Sequence, residues 1–335
     1  MMMNHSLFPW MIAALMGVFV YGLTYHARYQ QPAPPSYQFY DTASVTVEIR
    51  GSEELHDIYG RYNNIIEGKR QLVKASQLSE SRYRLTFEVN SPRPALLYVD
   101  DEPQEVFLVP GDTTLHMSLR YVPETFRFDS VTYRGKVANI CDYYQDKRQR
   151  FGRVSLRAAP HLIATDTFQV YAAKLDSLAA RELAFLAERE VFSTLPQWFV
   201  SFEKSDILYQ KAYLKLSQAY NREVSPELLD QAPLHNAGAV LSYYYYLYIQ
   251  TYLSQHFPGN PGRPQEQVLQ HLAVADTMLR GAPHDVFMTR AIFQQLQRGD
   301  SSLARELLDR YEGRFVSQKY ARFLRTQVMG EPLPG

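Results

Sequence analysis

The sequence predicts an α+β protein, with an N-terminal membrane helix, an antiparallel β-sandwich-like domain and then an irregular all-helical domain. Three observations lead to this fold class. A charge-free apolar run extends from Leu7 to Leu23, polar and apolar residues alternate in short segments between Ser44 and Leu119, and apolar residues recur at three- and four-residue steps after Tyr133.

The apolar run Leu7–Leu23 (LFPWMIAALMGVFVYGL) is the predicted membrane segment. Extended to Tyr25, it forms a helix of about 28 Å, which just spans a bilayer. A cleaved signal peptide is the competing interpretation, because the run is short and lies at the extreme N-terminus. No small-x-small cleavage site follows Leu23. We therefore predict an uncleaved signal-anchor within residues 1–29 and keep the cleaved form as the alternative.

Residues 30–36 (QQPAPPS) are Pro-rich and predict an extended linker. The β-sandwich-like domain is predicted to follow at residues 37–130. Within that domain turn residues such as Pro110-Gly111-Asp112 separate the alternating segments. The Glu54–Glu67 stretch is expected to be a short helix or loop. The predicted strands are Ser44–Arg50, Tyr83–Val89, Ala95–Val99, Val106–Val109 and Leu115–Leu119.

The helical domain is predicted at residues 131–329, because the hydrophobic period changes to the helical one near Tyr133. No second copy aligns at a fixed period, so an irregular bundle is favoured over a repeat array. The predicted helical segments are Val137–Phe151, Phe168–Phe192, Trp198–Tyr220, Ala237–Phe257, Gln265–Arg280, Asp285–Gln297 and Ser301–Tyr311.

Composition argues against several classes of function. Lys plus Arg and Asp plus Glu are both 35, so the chain as a whole has no net field that would attract nucleic acid. Cys141 is the only cysteine, which excludes an intrachain disulfide and any multi-cysteine metal site. No phosphate-binding glycine loop, His-Glu-x-x-His motif or Gly-x-Ser-x-Gly motif occurs. We therefore expect no cofactor, no metal and no catalytic residues.

Two features are candidate sites. Cys141 lies near a predicted helix start, where a thiol can become reactive, although a small buried packing residue is the more common role. Tyr244, Tyr248 and Tyr252 share one helix face at four-residue spacing, in a run that is aromatic nearly all round. This face is either buried in the bundle or a surface for a protein partner.

Three other clusters are better explained structurally. His56-Asp57 and His284-Asp285 could each orient an imidazole, but no nucleophile motif accompanies either pair. The acidic run Asp100-Asp101-Glu102 could hold a hard cation, yet three acids before a proline usually form a solvated hairpin turn.

Three short motifs resemble the N-terminal, non-catalytic half of TlpA-like envelope thiol-disulfide oxidoreductases. They are Phe87–Leu119 with its Pro110-Gly111-Asp112 turn, Tyr133–Asn139, and Gly330–Gly335, which is similar to the lead-in to a thioredoxin domain. The resemblance implies a β domain and a helical segment that precede a thioredoxin domain. That domain carries the family's Cys-x-x-Cys, and no residue of this chain corresponds to it.

The predicted function is a non-enzymatic, membrane-anchored envelope module that binds a protein partner. The alternative is the targeting and substrate-presenting half of a thiol-disulfide oxidoreductase, with residues 330–335 as the lead-in to a thioredoxin domain. The folded part is expected on the periplasmic side of the inner membrane, held by residues 7–25. Arg28, just after the span, by itself slightly favours the opposite orientation, with the folded part in the cytoplasm. The sequence identifies neither the partner nor an oligomeric state.

Overall fold

A computed structural model describes residues 41–330, except 53, 69, 126, 153, 158–166, 193–194, 220–223, 225–226, 228, 230–231 and 259–261. The predicted signal-anchor, the Pro-rich linker and residues 331–335 of the tail lie outside the described residues. No helix within the described part of the chain is both long enough and apolar enough to cross a membrane.

The first half of the described chain forms two sheets, as the alternating pattern predicted. One sheet has five strands in the order β4-β5-β1-β8-β9, and the other has four in the order β3-β2-β6-β7. The strands are β1 Thr42–Arg50, β2 Ile58–Asn63, β3 Arg70–Lys74, β4 Ser76–Ser79, β5 Arg82–Glu88, β6 Arg93–Val99, β7 Glu102–Leu108, β8 Leu115–Val122 and β9 Arg127–Arg134. Alternate residues of β1, β5 and β6 are buried between the sheets, so the mixed α+β class is confirmed.

Two details of the β region differ from the prediction. The sheets are not purely antiparallel, because β1 and β8 pair in parallel, with Val45 opposite Leu115 and Arg50 opposite Arg120. The Glu54–Glu67 stretch is not a helix or simple loop, since it contains β2. Gly60 interrupts the alternation of apolar and polar residues in the sequence of β2. Glycine is required there because a Cβ at this position would lie 2.5 Å from the Phe87 ring.

The second half is helical, as predicted. The helices are α1 Ala138–Phe151, α2 Phe168–Phe192, α3 Gln197–Ala219, α4 Tyr243–His256, α5 Pro264–Met278, α6 Gly281–Gln297, α7 Ser301–Tyr311 and α8 Gln318–Met329. The predicted Ala237–Phe257 helix is divided into a short 3-10 turn at Ala237–Ala239 and α4. Ser242 ends this interruption, because its side chain caps α4 by accepting a hydrogen bond from the Tyr245 amide.

The helices pack on the outer face of the four-stranded sheet through Phe107 of β7. The Phe107 ring lies 6.0 Å from Tyr144 and 5.4 Å from Phe199, measured between ring centroids, and all three side chains are buried. One continuous hydrophobic cluster therefore runs from the sandwich into the helices. Because Phe107 is at one edge of that sheet, the outer faces of β6, β2 and β3 extend beyond the contact.

Candidate functional site: a cleft between the sheet and the helices

A cleft opens where the outer face of the four-stranded sheet meets the helices, and we call it the sheet–helix cleft. Arg157 divides it into two lobes, because this residue, Leu96 and Tyr98 line both. The Asp206 lobe has a cavity volume of about 290 Å³, and the Lys147 lobe has about 470 Å³. Residues that line the Asp206 lobe include Arg61, Arg70 and Arg93 from the sheet side and Phe202, Asp206 and Tyr244 from the helices.

The sheet wall of the cleft is an aromatic and cationic platform. Tyr59 and Tyr98 are neighbours on β2 and β6, and their rings stack with centroids 4.8 Å apart. The Arg61 guanidinium carbon lies 5.0 Å from the Tyr59 centroid and 4.9 Å from the Tyr98 centroid. These cation–π contacts hold Arg61 over the rings. Because β2 alternates, Tyr59 and Arg61 share the outer face while Ile58, Gly60 and Tyr62 are buried.

Arg157 connects the two walls. Its Nη1 donates a hydrogen bond of 2.8 Å to Oε2 of Glu105 on β7, and its guanidinium carbon lies 5.3 Å from the Tyr144 ring centroid. Burial disfavours the charge on Arg157, but Glu105, Tyr144 and Glu203 together outweigh it and raise the pKa of Arg157. The bridge therefore stays charged.

A buried ion network supports the helical wall. Lys147 Nζ lies 2.7 Å from Oε2 of Glu182 and 2.6 Å from Oε1 of Glu203, and both carboxylates are almost completely buried. The Tyr144 hydroxyl donates a 2.6 Å hydrogen bond to Glu203. Burial opposes both charges of the Lys147–Glu203 pair, but their mutual attraction raises the pKa of Lys147 and lowers that of Glu203. The pair is thus ionised and its acceptors are satisfied.

Asp206 lies one turn after Glu203 on α3, at the floor of its lobe. It is 8% exposed, and the Ser242 hydroxyl donates a 2.7 Å hydrogen bond to its Oδ1. Burial first, and then the charge of Glu203, raises the pKa of Asp206 to about 6. A carboxyl with a raised pKa that lines a cleft is a feature of functional sites, although structural networks produce it too.

Of the three tyrosines singled out in the sequence, only Tyr244 lines this cleft. Tyr248 is buried, and its hydroxyl donates a 3.3 Å hydrogen bond to the Ala232 carbonyl. Tyr252 is half-buried and stacks on His256, with ring centroids 3.9 Å apart. The three rings therefore lie in different environments and do not form one surface. A partner surface that includes Tyr244 would extend toward the sheet.

Cys141 lies in the core between α1 and β7. It is buried, and the Phe107 amide donates a 3.3 Å hydrogen bond to its Sγ. Burial raises the pKa of the Cys141 thiol to about 12, and the neighbouring Asp142 adds to the effect. Both facts disfavour the thiolate that a reactive cysteine needs, and they favour the packing role.

The structure brings Ser52, His56 and Asp100 together, an arrangement that the sequence did not predict. His56 Nδ1 contacts Asp100 Oδ2, and its Nε2 lies 2.9 Å from Ser52 Oγ. The order of groups is that of a serine-hydrolase relay. Ser52 Oγ also accepts a 3.1 Å hydrogen bond from the Glu54 amide, and Asp100 Oδ1 accepts one of 3.0 Å from the Asp57 amide. The contacts of His56 and Asp57 with Asp100 tie the loop after β1 to the β6–β7 hairpin.

The cluster at His284 connects α5, α6 and the segment before α8. His284 lies between Asp285 and Asp276, with ring nitrogens 3.2 Å from each carboxylate. Asp285 in turn accepts hydrogen bonds from the Val316 and Ser317 amides. In the part of the chain that the structure describes, no group of three or more His, Cys, Asp or Glu residues could hold a metal ion.

Two comparisons with known proteins give no relative from which the role of the cleft could be inferred. No family model matches this chain. A search of curated proteins also finds no match. The resemblance to TlpA-like proteins therefore stays a prediction, and the function has to be argued from the cleft itself.

Proposed function

We propose that this chain is a non-enzymatic binding module of the cell envelope, tethered to the inner membrane through residues 7–25, which binds a partner protein in the sheet–helix cleft. One observation carries the proposal. The cleft places arginine and tyrosine side chains from separate parts of the fold around one open cavity. These two residue types, with tryptophan, are enriched among the few residues that dominate the binding energy of protein interfaces.

Preorganisation of the cleft supports a binding role. Arg61 is held by two tyrosine rings, and Arg157 is held by Glu105 and Tyr144. A long side chain that is already ordered loses less conformational entropy when a partner binds, by about 0.5 to 1.5 kcal/mol for each immobilised side chain. The buried Lys147 network anchors the opposite wall in the same way.

The proposed tether rests on the sequence. The apolar run Leu7–Leu23 is followed by the Pro-rich linker at residues 30–36, which would hold the folded part away from the bilayer. The chain as a whole has equal numbers of acidic and basic residues, so no net charge attracts it to an anionic membrane surface. A cleft that binds a protein is consistent with such a tethered domain.

Site-specific photo-crosslinking in living cells tests the proposal, because it captures a partner of any identity. A photoreactive phenylalanine analogue would replace Leu96 on the cleft wall or, as the matched control, Arg84. Arg84 is an exposed residue of β5 on the outer face of the five-stranded sheet, across the sandwich from the cleft. We expect a discrete protein adduct from position 96 and none from position 84.

A second substitution shows whether the adduct depends on the cleft. Adding Arg61→Glu should abolish crosslinking from position 96, while Arg84→Glu should leave it intact, with unchanged melting temperatures for both variants. Equal adducts from positions 96 and 84, or no adduct from any position along the cleft, would contradict the proposed function.

A further inference from the structure

The charges that line the Asp206 lobe are unbalanced. Arg61, Arg70, Arg93 and Arg157 line this cavity with one carboxylate, Asp206, among the residues described around it, and Arg157 is paired with Glu105 of the adjoining lobe. Asp206 is nearly buried, and its pKa is raised to about 6, so it offsets the positive charge only in part. Within the described ranges, Arg61 and Arg70 form no ion pair. The mouth of the cleft is therefore cationic.

Arg61 can bind a carboxylate. Its guanidinium carbon lies 5.0 and 4.9 Å from the two tyrosine ring centroids, and no ion pair among the described residues occupies its N–H groups. Two such N–H groups match the two oxygens of a carboxylate in a bidentate pair. Arg70 lies on the neighbouring strand β3, opposite Asn63 of β2, and is exposed. Two carboxylates a few residues apart could pair with Arg61 and Arg70 together.

The platform beside these arginines suits a polypeptide. Leu72, which is 54% exposed and lies opposite Arg61 on β3, and the half-buried Leu96 supply apolar surface next to the stacked tyrosines. Among the described strands β3 pairs only with β2, so its outer backbone edge is open. An extended peptide can use such an edge for main-chain hydrogen bonds while its side chains occupy adjacent pockets.

We propose, building on the binding function above, that the cleft binds an acidic segment of a partner polypeptide, whose carboxylates pair with Arg61 and Arg70 and whose aromatic or aliphatic side chain lies against Tyr98 and Leu96. Polyanions such as nucleic acid fit less well. They need a broad basic surface that contacts many phosphates, whereas the chain as a whole is neutral and this group of four arginines lines a single cavity.

Fluorescence anisotropy of a labelled glutamate–tyrosine copolymer, titrated with the full chain in a neutral detergent, tests this assignment. The copolymer should bind, a lysine–tyrosine copolymer should not, and raising NaCl from about 50 to about 500 mM should weaken binding, because salt screens exposed charges. Arg61→Glu and Arg70→Glu should each raise the dissociation constant about tenfold or more, as expected for loss of a charge-assisted pair. The matched control Arg84→Glu should change it less than about twofold.

Three outcomes would overturn the assignment. One is an equal loss of affinity in Arg84→Glu and Arg61→Glu, which would indicate nonspecific attraction. The second is tighter binding of single-stranded DNA or phosphatidylglycerol vesicles than of the copolymer. The third is no copolymer binding although position 96 still crosslinks a partner in cells, in which case the binding function stands and the acidic ligand is wrong.

Discussion

Asp206 is the residue whose ionisation most affects both the stability and the charge of the cleft. Its folded-state pKa of about 6 is above the ordinary aspartate value of 3.8. A raised pKa means that the folded state binds the proton more tightly than the unfolded state. The contribution of Asp206 to the free energy of unfolding therefore falls as pH rises from about 4 to about 6, and above this window the ionised Asp206 costs about 3 kcal/mol.

Asp206→Asn removes this ionisation while keeping an oxygen that can accept the Ser242 hydrogen bond. We expect the variant to be more stable than the wild type by about 1 to 3 kcal/mol at pH 7.5. At pH 4.5, where Asp206 is mostly protonated in the folded protein, the difference should be smaller. Urea unfolding at the two pH values measures it.

Asp309→Asn is the matched control for this experiment, because Asp309 is an exposed aspartate on α7 that does not line the Asp206 lobe. Its effect should be within about 0.5 kcal/mol at both pH values. A stabilisation by Asp206→Asn that is larger at pH 4.5 than at pH 7.5 would show that the linkage has the wrong sign.

Only part of the site could be predicted from the sequence at the residue level. Tyr244 was found because a run of tyrosines is unusual in itself. Arg61, Arg70 and Arg157 were not found, because the sequence around a single arginine in a strand or loop does not distinguish it from any other solvated residue. Their significance depends on the convergence of β2, β3 and the segment after α1, and neither spacing nor composition encodes that convergence.

At the scale of elements, the Ser52–His56–Asp100 contacts connect the loop after β1 to the β6–β7 hairpin. Val99 and Glu102 pair across a two-residue turn in which Asp100 and Asp101 have φ angles of 49° and 65°. Positive φ at both positions is the geometry of a type I′ turn, which aspartate tolerates better than most residues. The turn thereby directs the Asp100 carboxylate at His56.

His56→Ala should destabilise the full chain, because it removes a buried imidazole that packs against the Tyr121 and Phe128 rings and hydrogen-bonds to Asp100 and Ser52. We expect a loss of about 1 to 3 kcal/mol in the free energy of unfolding, and a smaller loss for Ser52→Ala. His116→Ala, at an exposed position of β8, is the control and should change stability by less than about 0.5 kcal/mol.

The same proteins test whether the relay is catalytic. If Ser52 serves only to position His56, as the proposed binding function implies, the wild type and Ser52→Ala should hydrolyse p-nitrophenyl acetate at the same rate. Hydrolysis that disappears in both Ser52→Ala and His56→Ala, while His116→Ala retains it, would establish an esterase and refute a purely binding function.

Most elements with a clean period were found from sequence, but α8 was not, although its buried residues Tyr320, Leu324 and Val328 recur at four-residue steps. The predicted Phe168–Phe192 and Ser301–Tyr311 helices agree with α2 and α7, and the Ser44–Arg50 strand lies within β1. Strand β2 was not predicted because Gly60 interrupts its pattern, and β3 was not predicted because an exposed edge strand buries little on either face. The parallel β1–β8 pair could not be predicted, since its partners are about 70 residues apart and local pattern does not specify such pairing.

At the scale of the whole molecule, the sandwich and the helices share one hydrophobic cluster, and the cleft exists because that contact covers only part of the sheet. Phe107 is the centre of the contact, since its ring meets Tyr144 on α1 and both Phe199 and Phe202 on α3. A binding site between two parts that share a core is expected to keep its shape when a partner binds.

The sheet–helix cleft is proposed to face a partner outside the cytoplasm, and accessibility to a membrane-impermeant maleimide tests this most directly. The native Cys141 is buried, so the wild-type chain should react only after unfolding. Arg84→Cys introduces an exposed thiol on the folded part. We predict that spheroplasts label Arg84→Cys as fully as lysed cells do, while a cytoplasmic thiol protein reacts only after lysis. Labelling of Arg84→Cys that also requires lysis would place the folded part in the cytoplasm and contradict the envelope function.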